Sequence, residues 1–265
     1  FTASQATEQF GQLSGMATTI IHLPAIVSIA LATSLVPSIS EAIFAGNHLL
    51  AKSRIRTAIR GTYLLILPAA VGIWALATPI SLLLYDLAQV GQTLAMLAPG
   101  VLFFGLFQVS AGAIQGLGKT YLPTVNLLIG VVVKTILSYW LVTWPFLGIR
   151  GAALATVIGY LIAFLLNQNQ LRKWRYLEGL REIPFIKLTL AAILMYFVVY
   201  WLQLELRFFY GSNIATLLVI PLGALVYGTV LLILRGVEKA DLENLPLGKL
   251  STKLIVFLEK THLLR

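Results

Sequence analysis

Seven stretches of about 20 mostly apolar residues, each long enough to cross a bilayer as a helix, occupy most of this 265-residue chain. The first runs from about Ser14 to Val36, with a polar end reaching Ala45. The others are Gly61–Tyr85, Gln92–Gln115, Leu122–Trp144 (interrupted by Lys134), Gly151–Leu171, Phe185–Leu202 and Asn213–Leu234. Connections are short except for Gly46–Arg60 and Arg172–Pro184. The expected fold class is therefore an all-α polytopic membrane protein with seven transmembrane helices.

Composition agrees. Hydrophobic residues make up 58% of the chain and charged residues 11%, against roughly 25% charged in soluble domains. That deficit excludes a soluble enzyme, a disordered chain and a fibrous repeat. There is no cysteine, so a disulfide framework, a thiolate zinc site and a cysteine nucleophile are all ruled out. Asp86 is the lone acidic residue between Glu41 and Glu178, and the three His residues are scattered, so no paired-carboxylate or metal-spaced cluster appears. Gly118-Lys119-Thr120 resembles the end of a phosphate loop, but Ala113 stands where its first glycine belongs and no strand precedes it. The expectation is a protein that is not an enzyme and carries no cofactor. Phe1–Leu13 lacks a basic start and does not read as a signal peptide; opening on Phe1, the chain reads as a fragment.

The net charge of +9 could suggest nucleic acid, but the basic residues lie between apolar runs, where anionic membrane lipids are the expected partner. With the N-terminus outside, all but three of the 19 basic residues fall in inner loops and the tail. The exceptions are Arg150 and Arg207 outside and Lys134 within a span. This asymmetry predicts an outer N-terminus and an inner C-terminus. Trp140, Trp144, Trp174, Tyr200 and Trp201 near span ends read as an aromatic belt. Lys249–Leu263 reads as an amphipathic helix on the inner leaflet or as a solvated tail.

A lysine at the centre of a span costs roughly 2.5–3.5 kcal/mol on the insertion scale, so Lys134 stands out. Asn126 and Ser138 share its helical face. The residues leave two readings open: a lysine tying helices together, or a group in a transport path. In the first span one face carries Glu8, Gln12, Gly15, Thr19, His22, Ile26, Ala30, Thr33, Pro37 and Glu41. A small and polar stripe of this kind fits helix packing or a water-filled cavity, and Pro24 and Pro37 each remove a backbone hydrogen bond. Gln108, Ser110 and Gln115 give the third span a polar edge, and Gly112-x-x-x-Gly116 fits close helix contact.

Several segments, in order, resemble one family. They are Leu23-Pro24, Ser34 to Ala42, Leu67 to Gly72, Gln115 to Lys119, Asn126 with Lys134, Gly151 to Tyr160, and Asp241 to Gly248. Together they resemble the MurJ/SpoVB-type lipid II and polysaccharide flippases over essentially the whole chain. The resemblance implies a multidrug-exporter-like fold of two six-helix lobes plus two extra helices. This chain would hold the eighth to fourteenth spans: residues 1–171 as a partial second lobe, 172–235 as the extra pair, and 236–265 as a cytoplasmic amphipathic tail. It further implies a plasma-membrane transporter that moves an undecaprenyl-pyrophosphate-linked precursor by alternating access. The partners would be that lipid-linked oligosaccharide and the missing N-terminal lobe. Gln12, Thr19, His22, Thr33, Glu41, Gln108, Gln115 and Asn126 would line the substrate path. Some relatives hold a sodium ion in this lobe; Lys134, Ser138 and Thr156 fall near those positions, and the ammonium is expected to stand in for the ion. A multidrug-type small-molecule exporter, and after it a seven-span receptor, are the competing readings.

Overall fold

The computed structural model describes residues 3–144, 146–178 and 184–237. Among the described residues every regular element is helical: α1 (Ala3–Gly11), a π-helical turn (Gln12–Ala17), α2 (Thr18–Phe44), α3 (His48–Ala75), α4 (Ala77–Tyr85), α5 (Ala88–Leu97), α6 (Pro99–Gly116), α7 (Tyr121–Val142), α8 (Ile149–Lys173) and α9 (Phe185–Ile233). Five helices are long and apolar enough to cross a membrane, or six if α5 and α6, bent by 44°, form one span.

The expected count of seven is thus not reached by separate continuous helices. The difference lies in the bent α5–α6 pair and in α9, a 49-residue element interrupted at Gly211, where φ is 78° and ψ 165°. Glycine reaches this region without the steric cost other residues meet. Beyond it the chain doubles back. Gln203 Nε2 donates to Thr216 Oγ1 at 3.1 Å, and Lys187 Nζ donates to the Arg235 carbonyl at 3.3 Å. In a straight helix the second pair would lie about 70 Å apart. Thus α9 is an antiparallel hairpin of arms 185–210 and 212–233.

Three boundaries also need correction. The connection placed at Gly46–Arg60 is mostly helical. Asn47 caps α3, its side chain accepting the Leu50 N–H at 3.0 Å. Ala51, Ile55, Ala58 and Ile59 are buried, the spacing of an amphipathic helix, with Lys52, Arg54 and Arg56 between them. Charge density hid that periodicity. At the other end of the span, α3 stops at Ala75, so the stretch ending at Tyr85 is two helices, and the following stretch is likewise divided at Ala98. The tail helix expected at Lys249–Leu263 lies outside the described residues.

Close glycine contacts set the packing. A Cβ on Gly112 would lie 2.6 Å from the Ala32 carbonyl oxygen, and one on Gly116 would lie 2.8 Å from Ile39 Cβ. Residue numbers rise together along this seam, so α2 and α6 run parallel. Gly130 and Gly159 meet across α7 and α8, each within 2.8 Å of the other's carbonyl oxygen had it a Cβ. There the numbers run in opposite senses, Asn126 meeting Asn167 and Leu141 meeting Gly151. Small residues allow such approach where no hydrophobic force separates helix from lipid.

The hairpin rests on α3 and α4. The Tyr63 ring meets Phe185 edge-on at 5.0 Å, and its hydroxyl pairs with Thr189 Oγ1 at 2.9 Å. Arg60, 2% exposed, donates to the Gly236 carbonyl at 2.8 Å. Lys52 and Arg175 both bind Glu178, at 2.7 and 2.6 Å. The hydrogen bond from Lys52, and next that from Arg175, hold the Glu178 carboxyl below its usual range. These contacts gather the basic segments around Lys52–Arg60, Arg172–Arg175, Lys187 and Arg235 at one end of the bundle.

Candidate functional site

The first-span stripe faces away from the packed body. Ala17, Ile20, Ile21, Ala25, Ser28, Leu35, Ile39 and Ala42 bury one side of the α2 region. Gly15, Thr19, His22, Ile26, Ala30, Thr33, Pro37 and Glu41 are all exposed. Gln12 is the exception: it is buried in the π-helical turn and donates to Glu8 Oε1 at 3.3 Å. From Gln12 to Glu41 the stripe extends about 44 Å at 1.5 Å per residue, the full depth of a membrane.

The prolines do not end the helix, for α2 continues through Pro24 and Pro37. The irregularity lies upstream, where Thr18 Oγ1 donates to the Leu13 carbonyl five residues back at 2.7 Å. Single π-helical turns are often found at functional sites. Thr19 and Thr33 return their hydroxyl protons to the Gly15 and Ala30 carbonyls, at 2.5 and 2.9 Å. Their protons are satisfied internally, and both residues are exposed.

His22 packs edge-on against Phe104 of α6 (5.3 Å, 78°), and Phe104 meets Tyr160 of α8 at 4.9 Å. This chain of rings links the stripe to the neighbouring parallel helices. Gln108 is half-buried one turn beyond Phe104, and Gln115 is exposed near the basic end. At that end Arg54 donates to the Ser38 carbonyl and lies 3.9 Å from Glu41 Oε2. Glu41 is largely exposed, and a pair this loose adds little stability.

Asn126 is placed differently. It is 5% exposed and donates to Asn167 Oδ1 at 2.7 Å; Asn167 Nδ2 donates to Ser110 Oγ at 3.2 Å. Ser110 in turn donates to the Phe107 carbonyl at 2.8 Å. The chain joins α7, α8 and α6 inside the protein, away from the exposed stripe. Sequence reading missed Asn167, although a signal exists. Gly151, Ala155, Gly159, Ala163 and Asn167 recur every four residues, matching the row Asn126, Gly130, Lys134 and Ser138 on α7. We expect Asn167→Leu to cost about 1–2 kcal/mol, because it leaves the buried Asn126 amide without an acceptor. Thermal unfolding should also show Asn126→Leu/Asn167→Leu recovering part of the loss; strict additivity would mean the two amides are not coupled.

Lys134 grows from the same seam. Its Cβ would be 3.0 Å from a Cβ on Gly159, so the glycine leaves room for the lysine stem. The side chain is half-buried and makes no hydrogen bond or ion pair among the described residues. Antiparallel register puts Ser138 level with Ala155 and Thr156. Thr156 is buried, its hydroxyl donating to the Ala152 carbonyl at 2.9 Å. Lys134, Ser138 and Thr156 therefore share one helix pair, separate from the α2 stripe.

Comparison with known proteins gives this arrangement a context. A family model described as Lipid II flippase MurJ matches residues 12–219. Stage V sporulation protein B of Bacillus subtilis (strain 168) is 30% identical over 245 residues, 91% of this chain and 46% of that protein. Lipid II flippase MurJ of the same organism is 31% identical over 151 residues, 55% of this chain and 27% of its own length. The probable lipid II flippase MurJ of Rhizobium meliloti (strain 1021) is 31% identical over 205 residues, 71% of this chain and 37% of its own length. The chain spans about half or less of each of these relatives. Most of its length lies within the matching model, and the sporulation protein aligns with nearly all of it; the chain belongs to the MurJ family of lipid II flippases.

Proposed function

We propose that this chain acts, within the intact protein, as part of a flippase that carries an undecaprenyl-pyrophosphate-linked cell-wall or polysaccharide precursor across the bacterial plasma membrane by alternating access. The observation that carries the reading is the exposed polar stripe of α2. A face with Thr19, His22, Thr33 and Glu41 along a membrane-length helix is costly against lipid and suits a water-filled path. Gln108 and Gln115 extend that path on α6. The division into a lobe (residues 1–171), an added pair (172–235) and a tail (236–265) belongs to the same proposal. So does a count of seven spans, with the bent α5–α6 pair taken as one and each arm of α9 as one. Gathering of the basic segments at one end supports an outer N-terminus and an inner C-terminus.

In this reading Lys134 supplies a resident positive charge where the family resemblance implies that some relatives hold a sodium ion, with Ser138 and Thr156 beside it. Sodium-dependent transport with a sodium ion bound next to Lys134 would overturn that assignment. Complementation of a flippase-depleted bacterium by the intact protein tests the function itself: wild type should restore growth and Glu41→Gln should fall short. Failure of the wild type removes the proposal, and full activity of Glu41→Gln removes this residue from the path. Cysteine labelling tests topology, and Ser212 is expected to react from outside and Asn47 only after permeabilisation. The opposite pattern would invert the orientation.

A further inference from the structure

A cavity of about 370 Å³ lies between the hairpin and the α3–α5 corner, apart from the α2 stripe and the α7–α8 seam. Trp74, Tyr196 and Tyr200 form its aromatic wall: Trp74 meets Tyr196 at 5.2 Å, and Tyr196 stacks on Tyr200 at 6.2 Å with ring planes 5° apart. Gln203 and Arg207 follow on the same arm, and Gln92 of α5 lines the cavity as well. Volumes of this size suit small-molecule sites with an apolar wall and a few placed polar groups.

The polar end is defined atom by atom. The Thr216 hydroxyl donates to the Ser212 carbonyl at 2.7 Å. A hydroxyl has one proton, so its oxygen accepts from Gln203 Nε2. That fixes the amide and leaves Gln203 Oε1 without a partner in a side chain 6% exposed. A buried acceptor of this kind calls for a donor. Among the described residues Arg207 makes no ion pair and no carboxylate lines the cavity. Gln92 Oε1 is already occupied, accepting from Arg150.

Depth along the arm separates these groups. Arg207 stands one turn below the break at Gly211, whereas Tyr196 lies about 22 Å below it at 1.5 Å per residue. The cavity is therefore cationic and hydrogen-bonding near the hairpin turn and aromatic toward the membrane interior. We propose that it holds one phospholipid of the leaflet on the hairpin-turn side, with a headgroup that carries both a phosphate and a free hydroxyl, as phosphatidylglycerol does. The phosphate sits on Arg207, the hydroxyl donates to Gln203 Oε1 once a small side-chain shift uncovers that oxygen, which its neighbours otherwise close off, and an acyl chain runs along Trp74, Tyr196 and Tyr200. The lipid joins the hairpin to the α3–α5 corner and is not the transported substrate.

Native mass spectrometry of the intact protein, titrated separately with phosphatidylglycerol, phosphatidylethanolamine and soluble glycerol 1-phosphate, tests this. Wild type should retain phosphatidylglycerol preferentially. Arg207→Gln and Gln203→Leu should each retain it about tenfold less well, the size of one lost hydrogen bond in a charged site. Lys173→Gln, at the opposite end, should match wild type. Equal retention by all variants overturns the site, and retention of glycerol 1-phosphate as strong as that of phosphatidylglycerol overturns the lipid as its occupant. A second reading does not depend on those variants folding: phosphatidylglycerol brominated on its acyl chains should quench wild-type tryptophan fluorescence. Subtracting the Trp74→Phe signal should remove a distinct part of that quenching, and an unchanged quenching fraction in Trp74→Phe overturns the proposal.

Discussion

Gly112→Val is expected to destabilise the intact protein by about 2–3 kcal/mol of overpacking, which lowers its unfolding temperature by roughly 2–5 °C. The reason is local. A Cβ at Gly112 would stand 2.6 Å from the Ala32 carbonyl oxygen and 3.1 Å from both Ala32 C and Ala32 Cα. All three are backbone atoms, so no side chain can rotate away, and α2 and α6 must separate. Separation also disturbs the seam at Gly105 and Gly116, where Ser28 Oγ and Ile39 Cβ would lie 2.6 and 2.8 Å from an added Cβ. Gly72→Ala is the matched comparison. Gly72 has nothing within 4 Å of an added Cβ, so alanine should leave stability unchanged or raise it by up to about 1 kcal/mol through helix propensity. Differential scanning fluorimetry in detergent reads both. Equal behaviour of the two variants would mean that α2 and α6 do not approach at Ala32.

Lys134→Met is expected to raise stability by about 1–2 kcal/mol while strongly reducing complementation by the intact protein. Methionine keeps an unbranched stem of similar length, so the fit of the side chain against Gly159 should survive. What disappears is an ammonium that makes no hydrogen bond or ion pair among the described residues and carries a cost at membrane depth. A lysine that ties helices together would behave oppositely, because losing its bonds would lower the unfolding temperature. The two readings left open by the residues therefore differ in the sign of one measurement. A stabilised but inactive variant supports the proposed cationic role; a destabilised variant, or a fully active one, ends it.

Much of this architecture was legible from residue order alone. Apolar runs marked the membrane helices because lipid cannot satisfy backbone polar groups and each crossing needs a minimum length. The Gly112-x-x-x-Gly116 spacing indicated close contact, and Gly112 and Gly116 do face α2. The stretch from His48 to Arg60 was misread because its basic residues lower hydropathy without interrupting the amphipathic period of Ala51, Ile55, Ala58 and Ile59. The division of two stretches at Leu76 and Ala98 was equally hidden, for apolar residues continue straight through both.

The site residues separate in the same way. One-dimensional periodicity shows which side chains share a helix face: it grouped Thr19, His22 and Thr33, and it grouped Asn126, Lys134 and Ser138. It says nothing about what lies opposite that face. Tertiary packing left the first group outside the body and set the second against the glycine and alanine row of α8. It buried Asn126 on Asn167, a partner 41 residues away, and brought Gln203 to Thr216 across the Gly211 break. Sequence by itself determined the membrane class and the amphipathic faces, since both follow from local hydropathy and helix period. Which polar groups pair inside the bundle and which stay available to a ligand was decided only by the meeting of distant helices, because a hydrogen bond depends on distance and direction in space.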